Sequence, residues 1–461
     1  MTTSDTQAPS CHSSLSRVAK LALFILFAAL VFLRLPNVLL EGRFFGEEGT
    51  YFFAYAWHMP WQDALWHPLG GYLNIVASGS TLLAKLLVTD GGLPLESAPY
   101  VTVLISLFFQ LCPAMLILSC RDEWLNGCWI KPIALLLLVT VPFSEEVWLH
   151  SLHSQFHLTV CVALILASEV PKSGWARGAR LALLLLAPLT GPAAIVLLPF
   201  LGLRALLDKD RARWTQVGAL ALGAAIQLLM FYAPVAVRAY SIGLDDLASV
   251  MLVRHLLFPF TGPGLAGVAI EAAQEAGKAG QIAWINAAAS LVLFGGLIAI
   301  VLRNANKVAA WLIIPGLFLA GISYVGAIAT GPALLSPVFG ERYTYVPQIM
   351  INLGLLALFA TAGPRVAKLS GVMLLLAMLF GLLLFRSHDD WFAGGPAWAD
   401  EVALWRKDPQ HRLVLWQPGW QVDLSPTTTR CKPFSGTLPE PAFCDSAWEA
   451  RERDSLAEMP K

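Results

Sequence analysis

Apolar residues in this chain come in long blocks separated by short polar turns, a pattern that differs from the alternating or amphipathic stripes of a soluble fold. The blocks cover Leu21–Leu35, Ala98–Ser119, Pro132–Leu149, a run after Leu158 that ends near Val170, Trp214–Val237, Ile282–Leu302, Val308–Ile328, Thr344–Thr361 and Leu369–Phe385. Such blocks predict helices that cross a bilayer. Two regions depart from the rhythm. Leu181–Arg213 has basic residues at both ends and is interrupted by Thr190, Gly191 and Pro192, which predicts a hairpin of two shallow helices. Thr50–Ala64 is aromatic and amphipathic, and Tyr72–Val88 is broken by Asn74, Ser78, Ser80 and Lys85, so both suit helices lying in the interface. Counting the hairpin arms separately gives about eleven membrane segments.

Composition agrees: the 461 residues are 57% hydrophobic and 13% charged, with a mean hydropathy of +0.63. The class is an all-α integral membrane protein. Lys and Arg total 31 and so do Asp and Glu, so no basic excess suggests nucleic acid, and charge informs only through its placement. Arg17 and Lys20 precede the first block, no small-residue cleavage site follows it, and Arg121, Lys131, Arg177, Arg303 and Arg365 flank later ones. The positive-inside rule then puts the N-terminus in the cytoplasm and, with an odd number of segments, the C-terminus outside. A bacterial inner membrane suits this plan. No inverted internal repeat is visible.

Three regions follow: a disordered tail over residues 1–16, a membrane domain over 17–386 with its first outer loop at 41–97, and an extracytoplasmic cap and tail over 387–461. The cap predicts a helix at Trp398–Lys407, a strand at Arg412–Trp416 and a Pro-Gly turn. Cys112, Cys120, Cys128 and Cys161 fall in or beside membrane segments, where a lone cysteine behaves as a small apolar residue. Cys431 and Cys444, in the polar tail, suggest a disulfide in an oxidising compartment.

Candidate chemistry collects on the outer side. Glu47 and Glu48 open the first loop among Tyr51, Phe52, Phe53, Tyr55, Trp57, Trp61 and Trp66. Adjacent carboxylates at that boundary are costly and point to function, although an aromatic belt with two solvated charges is the plainer alternative. In the turn Ser144–Leu158, Glu146, His150, His153 and His157 share one face of any continuous helix. That face offers ligands for a divalent metal such as Zn²⁺ or Mn²⁺. Neutral histidines that bind the lipid phosphate or sugar, with His150, His153 and Gln155 as the candidates, a wet polar stripe lining the cavity, and satisfied interior histidines are the competing expectations. A long outer loop over Arg238–Gln281 adds Asp245 and Asp246, and Glu341, Arg342 and Tyr343 complete the set. A snorkelling Arg342 paired with Glu341 is the plain alternative there.

The order of these features resembles the GT-C superfamily of membrane glycosyltransferases, in the branch of the protein mannosyltransferases and the lipid A aminoarabinose transferase. The likeness rests on an outward first helix, Glu47-Glu48 where members commonly read Asp-Glu, and the aromatic segment and Tyr72–Lys85 run that follow. It also rests on Leu189–Pro192 at a Gly-Pro break, and on the Arg-Tyr element Arg342–Pro347 before a late helix. It covers most of the chain to about Phe385. The resemblance implies a GT-C-like bundle and transfer of a sugar from a polyprenyl-phosphate donor to a saccharide, lipid or protein acceptor of the envelope. It also implies Glu47 as general base with Glu48 beside it, and donor contacts from Arg342 and Tyr343. No cofactor is required by such chemistry, and a divalent metal is the one optional addition. A transporter or flippase of a lipid-linked saccharide is the alternative, and a catalytically silent scaffold a third.

Overall fold

The structure is a computed structural model that describes residues 15–69, 71–231, 242–327, 330–386 and 390–425. Cys431 and Cys444 lie outside the described residues. The longer helices, labelled in chain order, are α1 (Arg17–Arg34), α2 (Ile75–Thr89), α3 (Ala98–Ser119), α4 (Ile130–Val139), α5 (Ser154–Ala167), α6 (Gly174–Thr190), α7 (Leu198–Asp208) and α8 (Arg211–Phe231). They continue as α9 (Leu244–Leu252), α10 (Pro263–Lys278), α11 (Trp284–Arg303), α12 (Lys307–Val325), α13 (Arg342–Thr361), α14 (Pro364–Leu383) and α15 (Trp398–Lys407). The only strands among the described residues are β1 (Leu413–Val414) and β2 (Gln421–Val422), paired antiparallel.

Two helices form the centre. Every residue of α5 is buried, as is Thr344–Leu358 of α13, and the two pack against each other and against α12. A helix that is apolar all round needs such enclosure. Gly354 of α13 admits Ile313 and Leu312 of α12 where a side chain would collide. On the periphery, α11 and α14 expose Ile285, Leu291, Val292, Leu375 and Leu383. Apolar faces of that extent are stable in lipid, not in water. Leu95–Ser119, α11, α12, α13 and α14 are the five described helices long and apolar enough to cross a membrane. The shorter apolar helices include α2 and α4, and the full count of about eleven crossings does not follow from the described helices.

One end of the bundle is basic. Lys131 donates to the carbonyls of Leu118 and Cys120 at 3.2 and 2.7 Å, closing the end of α3. Arg204 and Arg213 do the same at the end of α5, through the carbonyls of Leu166 and Ser168, while pairing with Glu169 and Asp208. These cations complement the carbonyl ends of helices. Exposed Trp129, Trp175 and Trp214 stand in sequence beside these basic segments, as interfacial aromatics do.

The expected break in Leu181–Arg213 falls at Gly191, between α6 and a 3-10 turn over Pro192–Leu197 that leads into α7. Gly191 also lies against Gln155 so closely that a Cβ would overlap its side chain. Helix α15 has the expected bounds and the cap strand is present but short. Cys112, Cys120 and Cys161 are buried and free, whereas Cys128 is disulfide-bonded.

Three expectations are corrected. The block Pro132–Leu149 is not one helix: α4 stops at Val139, because Pro142 disfavours helix in the residue before it and Arg34 takes the carbonyls of Val139 and Val141. Thr50–Ala64 is three short pieces, a π-helical turn at Glu48–Phe53, a turn at Ala54–His58 and, after Pro60, another at Trp61–Trp66. The long loop expected over Arg238–Gln281, between the Trp214–Val237 and Ile282–Leu302 blocks, is largely helical over its described residues, with α9, a π-helical turn at Val253–Leu257 and α10.

The basic segments and the charged turns lie at opposite ends of the bundle, which predicts access from opposite sides. Cysteines placed at Trp61 and Asp400, beside the charged turns, should react with an impermeant maleimide from one side of the membrane. Cysteines at Trp175 and Arg303 should react from the other, and labelling of all four from one side would refute the two-ended arrangement.

Candidate active site

The turns at the end opposite the basic one meet through buried charges. Helix α1 ends on Arg34, which is 0% exposed and whose Nη2 lies 2.7 Å from Glu145 Oε1. Its Nη1 donates to the Val139 carbonyl at 2.6 Å, and its guanidinium stands 4.8 Å from the centre of the Trp148 ring. The end of α1 is thereby fixed to the turn between α4 and α5. Arg34 carries no sequence signal beyond its position at the end of the first apolar block.

That turn is not a continuous helix. It is a 3-10 turn at Glu145–Val147, a residue with positive φ at Leu149 (55°), an extended His150 and a second 3-10 turn at Ser151–His153. The helical face expected of Glu146, His150, His153 and His157 therefore does not form. Instead His150 Nε2 and His153 Nδ1 converge on the Glu146 carbonyl, at 2.6 and 2.5 Å. A carbonyl only accepts, so each of these nitrogens carries its hydrogen. His157 Nε2 donates to the Val147 carbonyl at 2.9 Å. Burial holds His150 well below the usual imidazole range, hence neutral. Among the described residues no three His, Cys, Asp or Glu are placed to hold a metal ion. The proposed ligands are spent instead on positioning the turn, and the Glu146 carboxylate is taken by Arg342.

Glu146 and the start of α13 hold each other reciprocally. The Glu146 amide donates to Glu341 Oε2 at 3.0 Å, the Arg342 amide donates to Glu146 Oε2 at 3.0 Å, and the Arg342 guanidinium pairs with Glu146 Oε1. Arg342 thus pairs with Glu146 and not with the adjacent Glu341. Its guanidinium lies over the Tyr343 ring at 4.8 Å, and Nη2 donates to the Tyr343 hydroxyl at 3.2 Å. It remains 27% exposed and feels the charge of Glu47 and the hydroxyl of Tyr72.

The two acids of the first loop differ. Glu48 is 0% exposed, with Oε1 accepting from the amide and hydroxyl of Ser151 at 2.7 and 2.5 Å and Oε2 from the Phe45 amide at 3.0 Å. Burial raises its carboxyl above the usual range, against the pull of these donors and of Arg43. Arg43 is itself buried between Phe45 and Trp416, and burial lowers it to about 10. Glu48 is accordingly an anchor from the loop to the Ser151 turn. Glu47 is half-buried, with no side-chain hydrogen bond among the described residues, and its charge acts on Arg342. The aromatics around it are not a lipid-facing belt: Tyr51, Phe52, Phe53 and Tyr55 are buried, and only Trp61 and Trp66 are largely exposed.

A residue that sequence analysis left without a role organises the approach to Arg342. Arg254 donates to the Leu334 carbonyl at 2.6 Å, to the carbonyls of Ser336 and Phe339, and to Thr344 Oγ1 at 3.0 Å. It gathers the loop before α13 as a folded turn. Tyr324 joins Thr344 to His255, with its hydroxyl 3.0 Å from Thr344 Oγ1 and 2.9 Å from His255 Nε2. Beside Arg254, Thr344 and Gln348 lies a small cleft with apolar walls from Val141, Pro142, Phe143, Phe258 and Pro337. His150, His153 and Gln155 are all buried, the last against Gly191.

Fold and site together define an almost wholly helical membrane protein with a charged site at one end of its bundle. Compared with known proteins, the chain matches no protein-family model and no curated protein.

Glu341 is buried beside Glu145, and both effects raise its carboxyl well above the ordinary range, burial more than the neighbouring charge. A carboxyl raised in the fold costs no stability below the unfolded value of about 4.3, and the cost grows as pH rises above it. Glu341→Gln keeps an acceptor for the Glu146 amide and removes that cost. Its melting temperature relative to the unmodified protein should therefore rise between pH 4.5 and pH 8. A difference that is flat or falls with pH would mean that Glu341 is ionised without penalty.

Proposed function

We propose that this protein is a membrane glycosyltransferase of GT-C type, moving a sugar from a polyprenyl-phosphate donor to an envelope acceptor on the outer face. The observation that carries this reading is the proximity of unlike groups: Glu47, a half-buried carboxylate with no side-chain hydrogen bond among the described residues, lies near enough to the partly exposed guanidinium of Arg342 for its charge to act on it.

The chemistry needs little more. The sugar already carries a good leaving group, so the site must take a proton from the acceptor hydroxyl and stabilise the departing phosphate. Glu47 accepts the proton as the acceptor oxygen bonds to the anomeric carbon. The bond from that carbon to the phosphate oxygen breaks, and polyprenyl phosphate leaves with the bonding pair. Arg342, already oriented by Glu146 and Tyr343, has further N–H groups for phosphate oxygens. Glu48 serves as the anchor described above, which assigns the base to the first acid.

Purified protein supplied with labelled polyprenyl-phosphate sugars and an envelope extract should transfer label to an acceptor. Glu47→Gln should lower turnover by roughly 10²- to 10⁴-fold while donor binding persists. Arg342→Ala should weaken donor binding as well. Wild-type turnover in Glu47→Gln would remove the base from this scheme.

A further inference from the structure

The C-terminal cap touches the first loop at the residue before Glu47. The Gly46 amide donates to Gln417 Oε1 at 3.0 Å, and Gln417 Nε2 donates to the Trp391 carbonyl at 3.1 Å. Gln417 is buried in the turn that joins β1 to β2. It is thus oriented at both ends of its amide, so the oxygen must face Gly46. Around this bond the hairpin covers the loop. Trp420 lies over Gly46, while Leu415, Val422 and Phe44 close around Gly49 so tightly that a Cβ at either glycine would press on them. Trp398 of α15 completes the cover, edge-on to Phe44 at 5.1 Å, with its indole N–H donating to the Leu95 carbonyl at 2.9 Å.

The consequence falls on Glu47. Its neighbour on one side is held by Gln417, and its neighbour on the other is held by Ser151 and Phe45. We propose that Gln417 is a positioning residue for Glu47, holding the Gly46 amide so that the carboxylate stays presented to Arg342, and that the β1–β2 hairpin is an integral part of the site. This rests on the glycosyltransferase reading. No other polar atom is hydrogen-bonded to the Gly46 amide among the described residues, so loss of the Gln417 oxygen leaves a buried donor without a partner and frees the loop to shift.

The test compares full-length Gln417→Met, which keeps the shape and removes both polar atoms, with Gln417→Glu, which keeps an acceptor for Gly46. Amide exchange over Phe44–Gly49 should become faster in Gln417→Met, with α13 unchanged, and should return towards the original rate in Gln417→Glu. Donor KM should stay within about twofold while kcat falls roughly 10- to 100-fold in Gln417→Met, as expected for a misplaced base. Unchanged exchange over Phe44–Gly49 would overturn the proposal, and so would faster exchange with unaltered kcat. If the unmodified protein transfers no sugar, the functional reading fails by itself, and the exchange comparison still decides whether Gln417 holds Gly46.

Discussion

The pairing of Arg34 with Glu145 is the constraint on which the rest of this end of the molecule depends. Both side chains are out of contact with solvent, and an unpaired charge there would be costly enough to unfold the turn. Attraction between them only partly offsets the loss of hydration, so the remaining donors of Arg34 must be satisfied too, and the carbonyls of Val139 and Val141 do this. The same bonds stop α4 short and start the irregular turn that carries Glu146 and the histidines. Once Glu145 is committed to α1, its neighbour Glu146 is free to reach α13, and a single dipeptide ties three helices together.

A second consequence is that polar groups here act on backbone more than on one another. Arg254 gathers three carbonyls of the loop before α13 and the hydroxyl of Thr344 within α13, and His150 and His153 share a single carbonyl. An irregular chain inside an apolar bundle exposes backbone groups that neither lipid nor apolar side chains can satisfy, and these side chains supply the partners. The same logic explains Gln417 and Ser151, which hold the backbone and the anchor acid on either side of Glu47. The result is a cluster whose buried charges are mostly paired, with Glu47 half-buried and without a side-chain hydrogen bond among the described residues and Arg342 partly exposed.

Local pattern was enough for the class and the coarse plan. Uninterrupted apolar blocks made the chain a helical membrane protein, and the bounds of α3 and α15 and the break at Gly191 were legible because each is set by local residues: a block end, a helix-favouring run, a Gly-Pro pair. The placement of Glu47, Glu48, the Glu146 turn and Arg342 at one end also followed from charge flanks alone. Local pattern failed where a distant residue overrode it. The Pro132–Leu149 block looked like one helix because Arg34, which ends it, lies in another segment, and the regular spacing of Glu146 to His157 suggested a helical face that the extended His150 does not permit.

Which acid is engaged was settled by packing alone. Glu47 and Glu48 are equivalent as neighbours in sequence, yet Ser151 and Phe45 hold Glu48, whereas Glu47 has no side-chain hydrogen bond among the described residues and acts on Arg342 through its charge. Packing likewise decided that Arg342 answers to Glu146 and that Gln417, 371 residues away, holds Gly46. Such pairings depend on where helix ends come together in space. Hydropathy fixes that a segment enters the bundle, but the partner of a buried polar atom is chosen by the packing that brings one to it.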